Sequence, residues 1–266
     1  MDRFIVLFLT MFLVGSCHLM PENWNLKKEK KETIKEYYPS GRIKSINEFV
    51  GNKRHGVCKY YYEDGKLKAI AHFNMNKYQG EQISYYKNGK VRGRVNYDNH
   101  KKHGRSFGYY EDGKLYIIEN YEFGRLNGLK QKYYNNGQIM MENYFYDGKP
   151  SIHLKEYDKN RNLITDYPKL LVVPENRIFL DNTYLLKIYF SNKPQSGRYY
   201  LDELIEGKFL PRNSIPLNKR NRVANYIIDV PPGHVIMKEI KIIGTMKTTL
   251  GHTRVVSKSY NLAVKH

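Results

Sequence analysis

The sequence predicts an all-β protein: an elongated array of β-hairpins forming an open twisted meander, followed by a second, small all-β domain. Three observations carry this reading. Five glycines recur at 24-residue steps: Gly41, Gly65, Gly89, Gly113 and Gly137. Tyr-Tyr pairs keep the same step, at 37–38, 61–62, 85–86, 109–110 and 133–134. The segment after each glycine alternates apolar and polar residues, as a strand does. A fixed period of this length marks a repeat architecture, and repeats build extended surfaces suited to binding.

Four parts follow along the chain. Residues 1–16 read as a lipoprotein signal peptide. Arg3 supplies a minimal positive start, and Phe4 to Val14 form an apolar region of eleven residues interrupted only by Thr10. That run is too short for a spanning helix, which needs about 20 residues, and it fits a secretory signal. Val14-Gly15-Ser16-Cys17 then resembles a bacterial lipobox, which implies cleavage before Cys17 and lipid on its thiol. His18 follows, where an aspartate would signal inner-membrane retention, so the outer membrane is favoured in a cell with two membranes. Residues 17–36 read as a tether; Lys27, Lys28, Glu29, Lys30, Lys31 and Glu32 make it mixed in sign and solvated.

Residues 37–167 hold five full units and a decayed sixth that starts at Tyr157, with Arg161 at the glycine position. Asp64-Gly65, Asn88-Gly89, Asp112-Gly113 and Asn136-Gly137 predict two-residue hairpin turns, since such turns need positive φ. In the second unit Leu67, Ala69, Ala71 and Phe73 fall on one face and Lys66, Lys68 and His72 on the other, which predicts a buried and a wet side. Phe49, Phe73, Tyr97, Tyr121 and Phe145 keep the period and are expected to stack as core rungs. A second glycine series, Gly56, Gly80, Gly104 and Gly128, is expected to open the returning strand after a polar loop. Seventeen of the 25 tyrosines fall within 37–156, so the aromatic load belongs to the array.

The pattern YY-x-[DN]-G-[KR]-[LIV], then an aromatic, then a glycine, resembles MORN repeats of the bacterial variant class over 37–167. The resemblance implies a β-hairpin array acting in protein or membrane association, with no catalytic residues to carry over. Many bacterial members are described as YwqK-type antitoxins, which implies, as an alternative, neutralising a toxin by binding it.

Residues 168–266 leave the period near Tyr167-Pro168. Strands are expected at 169–173, 177–190, 198–207, 222–230, 235–245 and 253–264, parted by Pro-rich turns. That spacing predicts an immunoglobulin-like β-sandwich without the antibody Cys and Trp signature.

The net charge is +19, yet it is spread evenly: 21 Lys/Arg against 12 Asp/Glu over 37–156, and 18 against 9 over 157–266. A nucleic-acid footprint concentrates on one face, so nucleic acid is not an expected partner. His100 and His103 sit in a polar loop without a Cys or carboxylate cluster, so no metal is expected. Cys58 has Gln82, Ser106, Lys130 and Leu154 at its repeat equivalents, the pattern of a tolerant strand position. No phosphate loop or nucleophile elbow is present, so neither an enzyme nor a cofactor is expected. The expected function is a lipid-anchored envelope platform for a protein partner. The alternative is a membrane- or polysaccharide-binding module that uses the basic face on an anionic envelope surface.

Overall fold

The computed structural model describes residues 30–266; Cys17 and the expected signal peptide lie outside the described residues. Strands β1 (Lys31–Tyr37), β2 (Ile43–Val50), β3 (Lys53–Tyr61), β4 (Leu67–Asn74), β5 (Lys77–Tyr78), β6 (Gly80–Tyr85), β7 (Val91–Asp98), β8 (Lys101–Tyr109), β9 (Leu115–Glu122), β10 (Arg125–Leu126), β11 (Gly128–Tyr133), β12 (Ile139–Tyr146), β13 (Lys149–Pro150) and β14 (Lys155–Glu156) build one antiparallel sheet. It is a meander of hairpins spanning the repeats, and each long strand pairs with the next along the chain.

The sheet begins earlier than the tether reading allows. Residues 31–36 belong to β1, which pairs with β2 from Lys31↔Val50 to Tyr37↔Ile43. All seven residues of β1 are exposed. A lysine-rich polar strand is how natural sheets protect an edge from further pairing, so solvated composition and strand structure coexist here.

The turns also differ from the sequence reading. At each period glycine the chain makes a three-residue loop. Gly65 N–H donates to the Tyr62 carbonyl at 2.9 Å, and Tyr62 N–H donates to the Lys66 carbonyl at 2.8 Å. The same pair of bonds recurs at Gly41, Gly89, Gly113 and Gly137. These glycines have φ between +78° and +92°, whereas the residue before each (Ser40, Asp64, Asn88, Asp112 and Asn136) does not have positive φ. This is a type I turn closed by a left-handed residue in a bulge. The Asp or Asn serves another end: its side-chain oxygen accepts the N–H two residues on, as Asp64 does from Lys66 and Asn88 from Lys90. The two-residue turns with positive φ at both positions lie at the opposite edge, at Met75-Asn76, Asn99-His100, Phe123-Gly124 and Asp147-Gly148.

Gly65 isolates the conformational cost of such a turn, because a Cβ there would meet nothing within 4 Å. Gly65→Ala should therefore lose about 1–2 kcal/mol from φ alone, read as a lower urea midpoint at unchanged m-value.

The sixth unit keeps the turn without its glycine. Arg161 N–H donates to the Asp158 carbonyl at 3.1 Å, and Arg161 takes φ +68°.

Residues beyond the array form a two-layered sandwich. Its elements are β15 (Leu170–Arg177), the helical turn α1 (Ile178–Asp181), β16 (Thr183–Phe190), β17 (Arg198–Leu201), β18 (Lys219–Arg220), β19 (Val223–Asp229), β20 (Val235–Lys247) and β21 (Thr253–Lys265). One sheet runs β15-β16-β19-β18 and the other β17-β20-β21. In lettered order these are A-B-E-D and C-F-G, the strand order of a constant-type immunoglobulin domain. The stretch 177–190, expected as one strand, is broken by α1, after which Asn182 turns the chain in the left-handed region. The core joins both layers: Leu186, Ile188 and Phe190 face Tyr199, Ile242 and Leu262. Tyr199 on the third strand is fully buried; its hydroxyl donates to the Arg222 carbonyl and accepts from Phe190 N–H, each at 3.2 Å.

Candidate binding surfaces of the array and its junction

Register defines two faces of the long sheet. One row runs Glu36, Ser45, Tyr60, Ala69, Ser84, Gly93, Gly108, Ile117, Lys132, Met141 and Glu156, each directly opposite the next. This inner face is closely packed although it is one layer deep. Ser45, Asn47 and Cys58 are at most 1% exposed; Ser45 Oγ donates to Glu36 and Asn47 Nδ2 donates to Ser45 Oγ, each at 2.8 Å. At Gly108 a Cβ would come within 2.7 Å of the Ile117 side chain. Cys58, Ala71 and Phe73 form a small core with Tyr60 and Tyr78 against it. Burial pushes the Cys58 thiol up and the Tyr60 hydroxyl to about 12. Cys58 is thus a packing residue, more constrained than its variable repeat equivalents indicate.

Only some of the expected rungs stack. Phe73, Tyr78 and Tyr97 form a run with centroids 4.4 and 5.1 Å apart. Farther along, cations take part: Lys102 lies over Tyr121, and Lys130 over Phe145. Lys130 also pairs with Glu119 at 2.7 Å. Arg54 also lies over Phe73, and Glu36 and Ser45 open the row, so polar, charged and apolar groups mix along the inner face, which is most apolar around Cys58, Ala71 and Phe73.

The outer face is not simply wet. Its row runs Lys35, Ile46, Lys59, Ile70, Ile83, Arg94, Phe107, Ile118, Gln131, Glu142 and Lys155. Ile70 and Ile83 are adjacent, as are Phe107 and Ile118, and all four are half-buried. In an open single layer each face keeps some apolar contact across strands, so strict alternation does not hold.

Both edges of the array are stitched from unit to unit. The second tyrosine of each pair donates its hydroxyl to the carbonyl of the next unit's first tyrosine or its equivalent. Tyr38 reaches Tyr61, Tyr62 reaches Tyr85, Tyr86 reaches Tyr109, Tyr110 reaches Tyr133 and Tyr134 reaches Tyr157, all at 2.7–2.9 Å. On the other edge a turn N–H donates back to the preceding unit: Asn76 to Arg54, His100 to Tyr78, Gly124 to Lys102 and Gly148 to Leu126. His100 has a second part in this edge, since its Nδ1 accepts the Tyr78 N–H at 3.0 Å, as the Asn76 side chain accepts Arg54 N–H. The glycines Gly41, Gly65, Gly89, Gly113 and Gly137 lie on the tyrosine edge and shape its turns. Among the described residues no group of three or more His, Cys, Asp or Glu is placed to hold a metal, and no helix is long and apolar enough to cross a membrane.

The last unit is clamped to the sandwich by one carboxylate. Glu156 on β14 is fully buried. It accepts hydrogen bonds from Thr248 Oγ1 at 2.7 Å and Tyr167 Oη at 2.9 Å, and pairs with His252 Nδ1 at 2.5 Å. Burial raises its pKa, but these three partners outweigh burial and hold the carboxyl below its ordinary 4.5. Arg254 stacks over the Tyr167 ring at 3.9 Å. Nearby, Ile152 packs against Tyr200, Leu204, Leu210, Ile243 and Val255 of the sandwich, and Asp147 pairs with Arg125 and Arg212. Sequence reasoning did not single out Glu156, because its partners lie 92 and 96 residues away for Thr248 and His252.

No curated protein matches the chain. The family model described as MORN repeat variant matches residues 54–75, 78–99, 102–122 and 126–147. Each matched window holds a return strand, a glycine turn and the following strand, and ends at or just before the two-residue turn. Four of the hairpin units in this chain are MORN repeat variants.

Proposed function

We propose that this chain is a non-enzymatic platform of the bacterial cell envelope, anchored by lipid on Cys17, that holds a protein partner on its repeat array. The observation that carries the reading is the array's open construction. Its strands are joined to their neighbours in a single layer, so half-buried rings and aliphatic groups such as Tyr97 on one face and Ile83, Phe107 and Ile118 on the other keep part of their surface free. MORN repeats are generally membrane- or protein-binding modules. Tyrosine and other rings at such positions suit protein contacts. The Val14-Gly15-Ser16-Cys17 motif supports the anchor, with the outer membrane as its place in a cell with two membranes.

Cys17→Ala tests the anchor. The variant is expected to lose lipid labelling and leave the membrane fraction; full sedimentation with membranes and no change in labelling would rule the anchor out. A cytoplasmic location together with cancellation of a co-expressed toxin would favour the antitoxin reading instead.

A further inference from the structure

Between the last hairpin of the array and the sandwich lies a cleft of about 810 Å³, within the range of ligand clefts. Lys149 comes from the array and Arg198, Lys219 and Lys247 from the sandwich, and no Asp or Glu lines the cleft. Many cations elsewhere are matched by carboxylates, such as Lys130 by Glu119 and Lys187 by Glu175. None of these four makes an ion pair among the described residues. Lys219 Nζ instead donates to the Gln195 and Gly197 carbonyls at 2.8 and 2.6 Å, and Lys247 Nζ donates to Thr253 Oγ1 at 2.9 Å. Those bonds hold the two ammonium groups in place and leave their charge uncompensated. The nearest acid in sequence to Lys149, Asp147, feels the Lys149 charge but makes its ion pairs with Arg125 and Arg212.

We infer that this junction cleft binds an acidic oligosaccharide, with Lys149, Arg198, Lys219 and Lys247 meeting its anionic groups. Four unpaired cations around a recess focus positive potential and call for several negative charges. The remaining lining selects among anions. Gln195, Asn218 and Thr253 offer neutral donors and acceptors suited to sugar hydroxyls, and Pro216 and Leu217 give apolar surface for a ring face. A bilayer presents a plane, whereas these cations line a concavity that a chain segment can enter. A second cavity of about 310 Å³ shares Lys247 and Thr253 and adds Lys132, which makes no ion pair among the described residues, together with Lys130 and His252, which Glu119 and Glu156 already engage. Lys132 thus extends the cationic lining past the Lys247–Thr253 pair onto the inner face of the array, which fits a chain rather than a single small anion.

The test is titration of the full chain with fluorescein-labelled oligogalacturonate, a polyol phosphate oligomer and a neutral oligosaccharide of equal length. At least one acidic probe should bind ten or more times tighter than the neutral one and weaken with added salt; the tighter acidic probe identifies carboxylate or phosphate as the charged group. Lys149→Gln with Arg198→Gln removes two cations for which no hydrogen bond or ion pair within the protein is seen, and should weaken acidic binding at least tenfold. Lys44→Gln with Lys53→Gln makes the same charge change on the array and should alter binding less than twofold. Equal losses from the two double variants, or acidic binding no tighter than neutral, would overturn the site. Anionic vesicles that bind more strongly than either acidic probe, with that binding lost in the cleft variant, would overturn the oligosaccharide assignment. An unchanged melting temperature for the cleft variant confirms that a loss reflects binding rather than folding.

Discussion

Glu156→Ala is expected to destabilise the protein by about 3–5 kcal/mol, the cost of removing one partner from a buried, hydrogen-bonded charge cluster. The substitution strands Thr248, Tyr167 and His252 together, because all three converge on this carboxylate. The array and the sandwich are also joined at Ile152 and Asp147, so hydrogen exchange should rise first around 248–252 and 154–167. A loss below about 1 kcal/mol in urea unfolding would mean that the clamp is not a main support of the junction. The clamp also sets an acid limit. The folded carboxyl titrates below 4.5 and the unfolded one at about that value. Its contribution is therefore complete above pH 4.5 and declines as pH falls from there towards the depressed folded value. Glu156→Gln should flatten this part of the acid-stability profile.

Replacing Tyr38, Tyr62, Tyr86, Tyr110 and Tyr134 together by Phe is the second large perturbation. The rings stay, so apolar burial is almost unchanged, and only the inter-unit hydroxyl bonds go. Each net hydrogen bond is worth about 0.5–1.5 kcal/mol, so the five together should cost several kcal/mol. Unit-by-unit coupling in repeat arrays makes the effect visible as a lower and broader transition. Tyr61, Tyr85 and Tyr109 give the contrast, since their carbonyls accept the ladder and their own hydroxyls take no part in it. The same change at these three should stay near 0.5 kcal/mol per site. Equal losses from the two sets would remove the ladder from the account of array stability.

The sequence made some of this architecture plain and hid the rest for physical reasons. The 24-residue step is visible because every unit repeats one turn, and that turn needs a residue of positive φ. The turn's type is less visible, since Asp-Gly serves both a two-residue turn and the last two positions of a three-residue one. Met75-Asn76 and Asn99-His100 carry tighter turns with no glycine at all, so composition did not mark them. β1 was hidden by its lysines and glutamates, which suit an exposed edge as well as a tether. The tyrosine pairs were legible as a period, but their hydroxyl bonds cross 23 residues and need the coordinates of the next unit. Ile70 breaks the expected wet face, because an open layer gains contacts on both sides. Glu156 has Tyr60, Ser84, Gly108 and Lys132 at its repeat equivalents, and only the sandwich gives that position its use. The sandwich itself was legible from strand spacing, while its A-B-E-D and C-F-G pairing emerges only from the registers.

The array is proposed as the surface on which a partner is held. Photo-cross-linking in intact cells tests it most directly, with benzoyl-phenylalanine placed at Phe107 on the outer face, at Tyr97 on the inner face and, as a control, at buried Phe190. One discrete protein adduct, of the same partner, is expected from Phe107 or Tyr97 and none from Phe190. Adducts absent from both array positions, with a partner caught instead from positions on the sandwich, would contradict it.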